Sequence, residues 1–313
     1  MGFAISLALA APRAWADTAE DALAAAYSSG EMPNARGMAM GGAAYALGGS
    51  TSATVFNPAN LGLLKSYHMD AIAAFAPVAS RQSYGAMVAD SSTTKTAMGL
   101  SGTYNMMDHG GLERTWWDAR LGAAYPLGDR AFIGLVGRYM SMSQTDTRTP
   151  GTKVESSPLD GFSAGAGVAF ALGDALRLGL VGENLLGAEG ALMPRRVAGG
   201  LGLSLGEFAI EANGVLDLTS GPSSTWGVRA GAEWMSADRV PLRVGYTYDE
   251  FRKSQAVSGG LGYMGNKIGF EASVRHEFTA VTPATSFMFG LRYFVDVAGG
   301  SAADDASGDS DGL

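Results

Sequence analysis

The sequence predicts an all-β membrane protein, an antiparallel transmembrane β-barrel of about fourteen strands. Charged residues make up only 17% of the 313 residues, against roughly 25% in soluble globular proteins. Glycine accounts for 45 of the 313 residues, about twice its usual share of roughly 7%. After Ala16, no stretch supplies the roughly 18 consecutive apolar residues of a membrane helix. These observations leave a membrane barrel or a soluble all-β protein.

Alternation with a period of two is the strongest signal, because it places successive side chains on opposite faces of a strand. In residues 225–234, large apolar residues such as Trp226 and Val228 alternate with Arg229, Glu233 and small residues. Residues 242–249, 267–278 and 286–293 repeat this scheme. Weaker alternation begins near Tyr67, Ser83, Thr96, Thr115, Ala131, Gly161, Leu176, Arg196, Phe208 and Val257. The resulting count is even, as bacterial barrels require.

The composition of the two faces favours the barrel over a soluble sheet, whose solvent face is usually rich in Lys, Glu and Thr. Here the polar face carries Gly, Ser and Ala with isolated charges, which suits a crowded lumen. The apolar face has aromatic residues near strand ends, as in interfacial girdles. These aromatic residues are Trp117, Tyr125, Trp226, Trp234, Tyr248, Phe278 and Tyr293.

The charges on the polar face have mixed signs, so we expect them to pair and fill the lumen. A path for solutes is the alternative role. The lumen candidates are Arg177, Glu183, Glu211, Asp217, Arg229, Glu233, Arg243, Glu271, Arg275 and Arg292.

The lengths of the connections between strands give an independent indication of how the barrel is oriented in the membrane. The expected periplasmic turns are short and comprise residues 91–94, 128–130, 173–174, 206–207 and 265–266. The expected external loops are longer and include residues 105–114, 146–159 and 184–194. Outer-membrane barrels have this arrangement of short periplasmic turns and longer external loops.

Both ends of the chain differ from the alternating region, which we place at residues 67–297. Residues 1–16 contain a short apolar run and Ala14-Trp15-Ala16, which predict a signal peptide, although no Lys or Arg precedes the run. A buried apolar N-terminus is the alternative. Residues 17–66 do not alternate; a short helix is expected over residues 19–27. Residues 298–313 form an acidic Gly/Ser/Asp tail, predicted to be a disordered periplasmic extension.

Residues 35–63 contain Arg36, Gly37, Met40-Gly41-Gly42-Ala43 and Phe56-Asn57-Pro58-Ala59-Asn60-Leu61. This combination resembles the N-terminal signature of the FadL-type outer-membrane proteins, which include long-chain fatty-acid transporters and PorV-like barrels linked to secretion. Two positions depart from it: Gly48-Gly49-Ser50 replaces a common acidic pair, and Asn60 replaces a glycine. Further on, residues 183–187 (ENLLG), followed by Met193-Pro194, are similar to a segment of the PorV-like branch.

The resemblance implies that residues 17–66 form a hatch in the periplasmic mouth of an outer-membrane barrel. A disordered periplasmic lead is the alternative. Asn57 is also a suitable cap for a helical turn that begins at Pro58. The residues of the implied hatch motif are Arg36, Gly37, Gly41, Gly42, Asn57, Pro58 and Ala59.

Two functions follow from the resemblance. The first is passive uptake of hydrophobic small molecules such as fatty acids. The second is a structural or partner-binding role in protein secretion. The expected partners are outer-membrane lipid and either a hydrophobic substrate or a secretion partner protein.

Other classes find little support in the sequence. The formal net charge of −8 and the lack of a basic run argue against nucleic-acid binding. There is no cysteine, and no hydrolase, nucleotide-binding or metalloprotease motif is present. We therefore predict no catalytic residues, no metal site and no cofactor. An enzyme acting through His109, beside Asp108 and Glu113, is the remaining alternative, and the acidic tail resembles a calcium loop only loosely.

Overall fold

The computed structural model describes residues 34–187, 192–237, 239–278 and 283–295. The expected signal peptide, the helix over residues 19–27 and the acidic tail lie outside these ranges. Within the described residues, no helix is long and apolar enough to cross a membrane.

Fourteen antiparallel strands form a closed barrel, which confirms the predicted fold class. The sheet closes where the first strand pairs with the last, with His68 opposite Phe294 and Phe75 opposite Phe287. Closure leaves no unpaired strand edge, so every strand has a neighbour on both sides. The strands are β1 Tyr67–Ala76, β2 Arg81–Asp90, β3 Ala97–His109, β4 Leu112–Pro126, β5 Ala131–Asp146, β6 Val154–Leu172, β7 Leu176–Gly187, β8 Arg196–Leu205, β9 Phe208–Asp217, β10 Thr225–Ser236, β11 Val240–Asp249, β12 Ser254–Met264, β13 Ile268–Glu277 and β14 Ala284–Phe294.

The two faces of the wall differ as the alternation predicts. On β10, Val228 is 39% exposed on the outer face, whereas the neighbouring Arg229 is 7% exposed inside. The outer face also exposes Leu135, Val244 and Phe270, and this apolar surface is of the kind that lipid covers. On β10 the lumen face carries small and charged residues.

The two rims of the barrel are unequal. We call the rim that carries Tyr67 and Phe294 the terminal rim, and the opposite one the distal rim. Every connection at the terminal rim is short, from residues 91–96 after β2 to residues 206–207 after β8. This agrees with the predicted short turns.

The predicted loops at the distal rim need correction. The loop expected at residues 105–114 is almost entirely strand, because β3 continues to His109 and β4 begins at Leu112. The two strands are joined by Gly110 and Gly111, whose φ values of 59° and 84° give the two-residue hairpin turn that suits twisted strands. The loop expected at residues 146–159 is also shorter, since β6 begins at Val154.

The extra strand length makes one side of the barrel taller. The tall side consists of β3, β4, β5 and β6, which have 13, 15, 16 and 19 residues. The other strands have between 10 and 12 residues, as in β1 and β7. The hairpins of the tall side therefore project beyond the rest of the distal rim.

Residues 34–66, here called the inner segment, lie inside the terminal half of the barrel. They contain one helical turn, α1 (Ala35–Ala39), and two short 3-10 helices, Ser50–Thr54 and Pro58–Gly62. Ala39, Met40, Ala46 and Ala59 are fully buried, so this segment has its own packed interface with the wall.

Candidate functional site

The first half of the inner segment is fixed by α1 and the turn that follows it. Asn34 caps the helix, its side chain accepting the Gly37 N–H at 2.9 Å. Arg36 donates two hydrogen bonds to Glu233 on β10, at 3.1 and 3.3 Å. The chain then reverses through Gly41 and Gly42, whose positive φ values of 65° and 77° favour glycine.

The second half is organised around Asn57, which is completely buried. Its side-chain oxygen accepts the Ala59 N–H at 3.1 Å, so it caps the 3-10 helix that starts at Pro58, as predicted. Its amide nitrogen donates to the Tyr45 carbonyl at 3.0 Å and to the Val168 carbonyl of β6 at 3.1 Å. One side chain thus joins two parts of the inner segment to the barrel wall.

Glycines of the wall bring the inner segment close to the strands. A side chain at Gly134 would collide with the backbone at Pro58 and Ala59, and one at Gly245 would collide with the backbone at Met40 and Gly41. Close backbone approach is one of the reasons for glycine within a strand. The wall glycines that contact the inner segment are Gly99, Gly122, Gly134, Gly167, Gly179, Gly200, Gly202, Gly231, Gly245, Gly260 and Gly290.

A network of ion pairs follows the wall from β10 to β1, the part we call the ionic side. In order, its members are Arg36, Glu233, Arg243, Glu271, Arg292 and Asp70. Asp70 also accepts a hydrogen bond from Thr51 of the inner segment, so the network contacts this segment at both of its ends. Alternating signs let buried charges compensate one another, which isolated buried charges cannot do.

Three further wall residues bind the middle of the inner segment. Glu211, which is fully buried, accepts the N–H groups of Ala46 and Leu47 at 2.7 and 2.8 Å. The Tyr45 hydroxyl donates to Glu183 at 2.8 Å and accepts from Arg229 at 3.2 Å. Burial raises the pKa of the Tyr45 phenol, so it remains a hydrogen-bond donor.

A second ionic cluster lies on the tall side at mid-height. Asp118 accepts hydrogen bonds from both Arg120 and Arg138, at distances of 2.7 to 3.1 Å. Arg120 also donates to the Val55 carbonyl of the inner segment at 3.2 Å. Arg138 reaches Asn184 on β7 at 3.4 Å. The cluster therefore connects the inner segment to the distal part of β7.

A small cavity lies directly beyond the inner segment. It encloses about 30 Å³, which is enough space for water-sized bodies only. Apolar side chains such as Phe56 and Val181 line it together with Arg120, Arg138 and Glu183. Within the described residues, the lumen is thus nearly filled at this level.

An apolar cluster occupies the distal half of the lumen, inside the tall side. Its buried members are Met107, Leu112, Trp116, Met140, Met142 and Met193. Leu159 and Leu192 pack against it. Since Pro194 lines the cavity and follows Met193 in the chain, this cluster and the cavity are neighbours. From the distal rim inward, the order is apolar cluster, cavity and inner segment.

The remaining candidates lie apart from the inner segment. Arg177 is half-buried near the terminal rim and lies outside the networks described above. Asp217 pairs with Arg196 at 3.0 Å, and Arg275 lies 3.5 Å from Glu277. Seven further charges face the lumen that the alternation did not identify, namely Asp70, Arg81, Arg114, Asp118, Arg120, Arg138 and Arg196.

Histidines and acidic residues show no metal-site arrangement in the described ranges, where no group of three such side chains converges. His109 ends β3 at the distal rim, beside the cross-strand pair Asp108 and Glu113. His68 faces the lumen and contacts Ser50 of the inner segment.

No protein-family profile matches the sequence, and no curated protein is significantly similar to it. Solved structures do match. The CymD monoaromatic hydrocarbon channel is 12% identical, with a TM-score of 0.64 over 84% of this chain and 97% of CymD. The toluene transporter TodX of Pseudomonas putida is 12% identical, with a TM-score of 0.63 over 83% of this chain and 97% of TodX.

The toluene transporter TbuX of Ralstonia pickettii gives similar values: 13% identity and a TM-score of 0.61, over 85% of this chain and 99% of TbuX. This is the FadL-type barrel fold. The predicted barrel fold and its strand number are therefore confirmed.

Proposed function

We propose that this protein is an outer-membrane channel for passive uptake of hydrophobic small molecules. The inner segment is its hatch, and the terminal rim faces the periplasm. The short connections at the terminal rim support this orientation, because outer-membrane barrels have short periplasmic turns. The matched proteins are described as hydrocarbon channels and toluene transporters, which supports transport over catalysis.

The observation that carries the proposal is the order of features along the lumen. The buried apolar cluster near the distal rim consists of side chains against which a hydrophobic molecule that enters the lumen would be stabilised by leaving water. The cavity below it leads to the inner segment, which contacts the wall through hydrogen bonds and ion pairs and through three buried apolar clusters. Passage to the periplasm therefore requires the inner segment to move away from these contacts.

A structural or partner-binding role in secretion is the second candidate. The observation in its favour is the closed lumen, since a cavity of about 30 Å³ passes no hydrophobic solute. Phe162 on β6 and Leu186 on β7 face outward near the distal rim. They are 70% and 68% exposed, so a partner could contact them.

Uptake by intact cells distinguishes the two. A Gram-negative host that expresses the full chain is given labelled toluene or a labelled fatty acid, and its rate of uptake is compared with that of cells without the chain. The control variant is Met140→Arg, which places a charge inside the apolar cluster. We expect the chain to raise uptake of at least one compound and the variant to abolish the increase.

Heat-modifiable migration on gels shows whether the variant still forms the barrel. Assembled protein that raises uptake of neither compound would overturn the transport proposal and favour the partner-binding role. The two compounds also decide whether fatty acids belong to the substrate class.

We further propose that residues 1–16 are removed on export and that residues 298–313 form a periplasmic tail. The mature protein should then begin at Asp17 and fractionate with outer membranes. N-terminal sequencing of the fractionated protein measures both, and recovery as a soluble periplasmic protein would contradict the export scheme.

A further inference from the structure

We propose that Met193 occupies the binding site of a compact, neutral, apolar ligand, so that the site is filled by the chain itself in this structure. The inference rests on the proposed uptake of hydrophobic molecules and adds where such a molecule binds and what it must displace.

The origin of the side chains in the apolar cluster suggests displacement. Met107, Trp116, Met140 and Met142 project from hydrogen-bonded strands of the tall side, whose positions the sheet fixes. Met193 instead belongs to the connection between β7 and β8, yet it is only 1% exposed. Met193, which belongs to the connection between β7 and β8, thus fills the space between side chains that the strands of the tall side hold in place.

The connection is attached near Met193 by a short series of polar contacts. The Pro194 carbonyl accepts a hydrogen bond from the Asn184 side chain at 2.7 Å. Asn184 in turn accepts from Arg138 at 3.4 Å, and Asn184 has a left-handed φ of 50°. It lies where the register between β6 and β7 shifts, next to Gly182 and Leu186. An interrupted ladder leaves this part of β7 freer to move than an intact one.

The chemistry of the cluster defines the ligand. Its lining consists of Met, Leu and Trp side chains, and a ligand that buries apolar surface against them is stabilised. Three cations border it, and all are already bonded: Arg81 to Asn105 at 2.8 Å, Arg114 to Gln144 at 2.6 Å and Arg138 to Asp118 at 2.7 Å. A neutral molecule therefore fits better than an anion.

The size of the ligand follows from what it replaces. Methionine is unbranched and adapts to irregular gaps, and sulfur makes favourable contacts with aromatic rings. An apolar cavity of roughly 150 Å³ accommodates a benzene-sized molecule. Displacing Met193, together with the packed Leu192, would open space on this scale between Trp116 and Met140.

The test measures toluene binding to the full chain in detergent by isothermal titration calorimetry. In Met193→Ala the competing side chain is absent, so toluene should bind about tenfold more tightly than in the natural chain. Met193→Trp should fill the site and weaken binding below that of the natural chain. Heat-modifiable migration confirms that each variant is folded.

Met288→Ala is the matched control. Met288 is 2% exposed in another buried cluster, where it packs with Met38 of the inner segment and Ile72 of β1. Removing its side chain leaves a comparable gap in a place where we infer no ligand site. An equal gain in toluene affinity for Met288→Ala and Met193→Ala would overturn the inference, because any buried gap would then explain it. Unchanged affinity in Met193→Ala would also overturn it.

Uptake by cells separates this inference from the proposed function. If the natural chain raises toluene uptake but Met193→Ala binds toluene no better, the site is wrong and the transport proposal stands. If Met193→Ala binds toluene tightly while no cell line shows uptake, the site is supported and the transport proposal fails.

Discussion

The ionic side and the tall side hold the same inner segment by different means. On the ionic side, Arg36 and Thr51 join a continuous series of ion pairs that runs from Glu233 to Asp70. On the tall side, Asn57 bonds to a strand carbonyl, Arg120 donates to the Val55 carbonyl, and small and apolar side chains of the inner segment pack against the wall. Above these contacts, the inner face of the tall side becomes apolar.

The difference separates two tasks within one lumen. Charged pairs have directional hydrogen bonds and position α1 precisely, whereas an apolar surface is non-directional and accepts ligands of varied shape. The ionic side therefore suits anchoring, and the tall side suits binding.

Deleting residues 35–63 should have the largest effect, because it removes the shared partner of both sides. The strands pair with one another and do not depend on the inner segment for closure. We expect the variant to assemble and to conduct ions in planar bilayers, where the natural chain is closed. If both forms stay closed although both have inserted, the inward side chains alone fill the lumen and the inner segment is not the gate.

Glu233→Ala tests the anchoring role of the ionic side. The substitution leaves Arg36 and Arg243 without their shared carboxylate, and removing one partner of a buried pair costs roughly 3–5 kcal/mol. Urea unfolding measures the loss of stability, and limited proteolysis measures access to the inner segment. Asp118→Ala is the control on the tall side, because it removes the carboxylate that Arg120 and Arg138 share.

Both substitutions should lower stability, but only Glu233→Ala should strongly increase proteolysis of α1. Equal cleavage of the inner segment in both variants would show that the two sides do not divide the tasks.

Arginine on the outer face should affect both sides equally. Val228→Arg on the ionic side and Leu135→Arg on the tall side each place a charge in lipid, at a cost of roughly 2–4 kcal/mol near the bilayer midplane. Folding into vesicles at graded urea concentrations measures the cost. A silent Val228→Arg, together with failure of Arg229→Lys to assemble, would mean that the outward and inward faces are exchanged.

The smallest effect is expected from adding one methyl group to a wall glycine. Gly134→Ala and Gly245→Ala should each destabilise the docked inner segment by roughly 1–3 kcal/mol, the usual cost of overpacking. Gly137→Ala is the control on the same strand as Gly134, since nothing lies within 4 Å of its added Cβ. Hydrogen exchange of the inner segment should rise in the first two variants; a rise in Gly137→Ala alone would contradict the docking.

The number of strands and the two faces could be predicted because alternation is a local property of the chain. On β10 and β13 the outward side chains are mostly large and apolar, while the inward ones are small or charged. The residue type therefore indicates which face a side chain lies on. The capping role of Asn57 was also local, since it requires only the following Pro58.

The charges of the tall side could not be found in this way. On β4, Trp116 faces inward and Trp117 outward, so bulky side chains on both faces hide the alternation that would mark Asp118 and Arg120. On β5, Arg138 is followed on the inner face by Met140, which reads as lipid-facing. The apolar cluster was missed for the same reason, because its inward position becomes visible only once the barrel is closed.

The wall glycines have a consequence for how this chain can diverge. The inner segment approaches several of them with its backbone, as at Gly134, Gly179 and Gly245, so the fit there depends on missing side chains in the wall. Sequence drift should therefore spare such wall positions while the side chains of the inner segment that face the cavity exchange freely. A chimaera that keeps these glycines and grafts a foreign segment of the same backbone path should dock it, whereas the reverse graft should not.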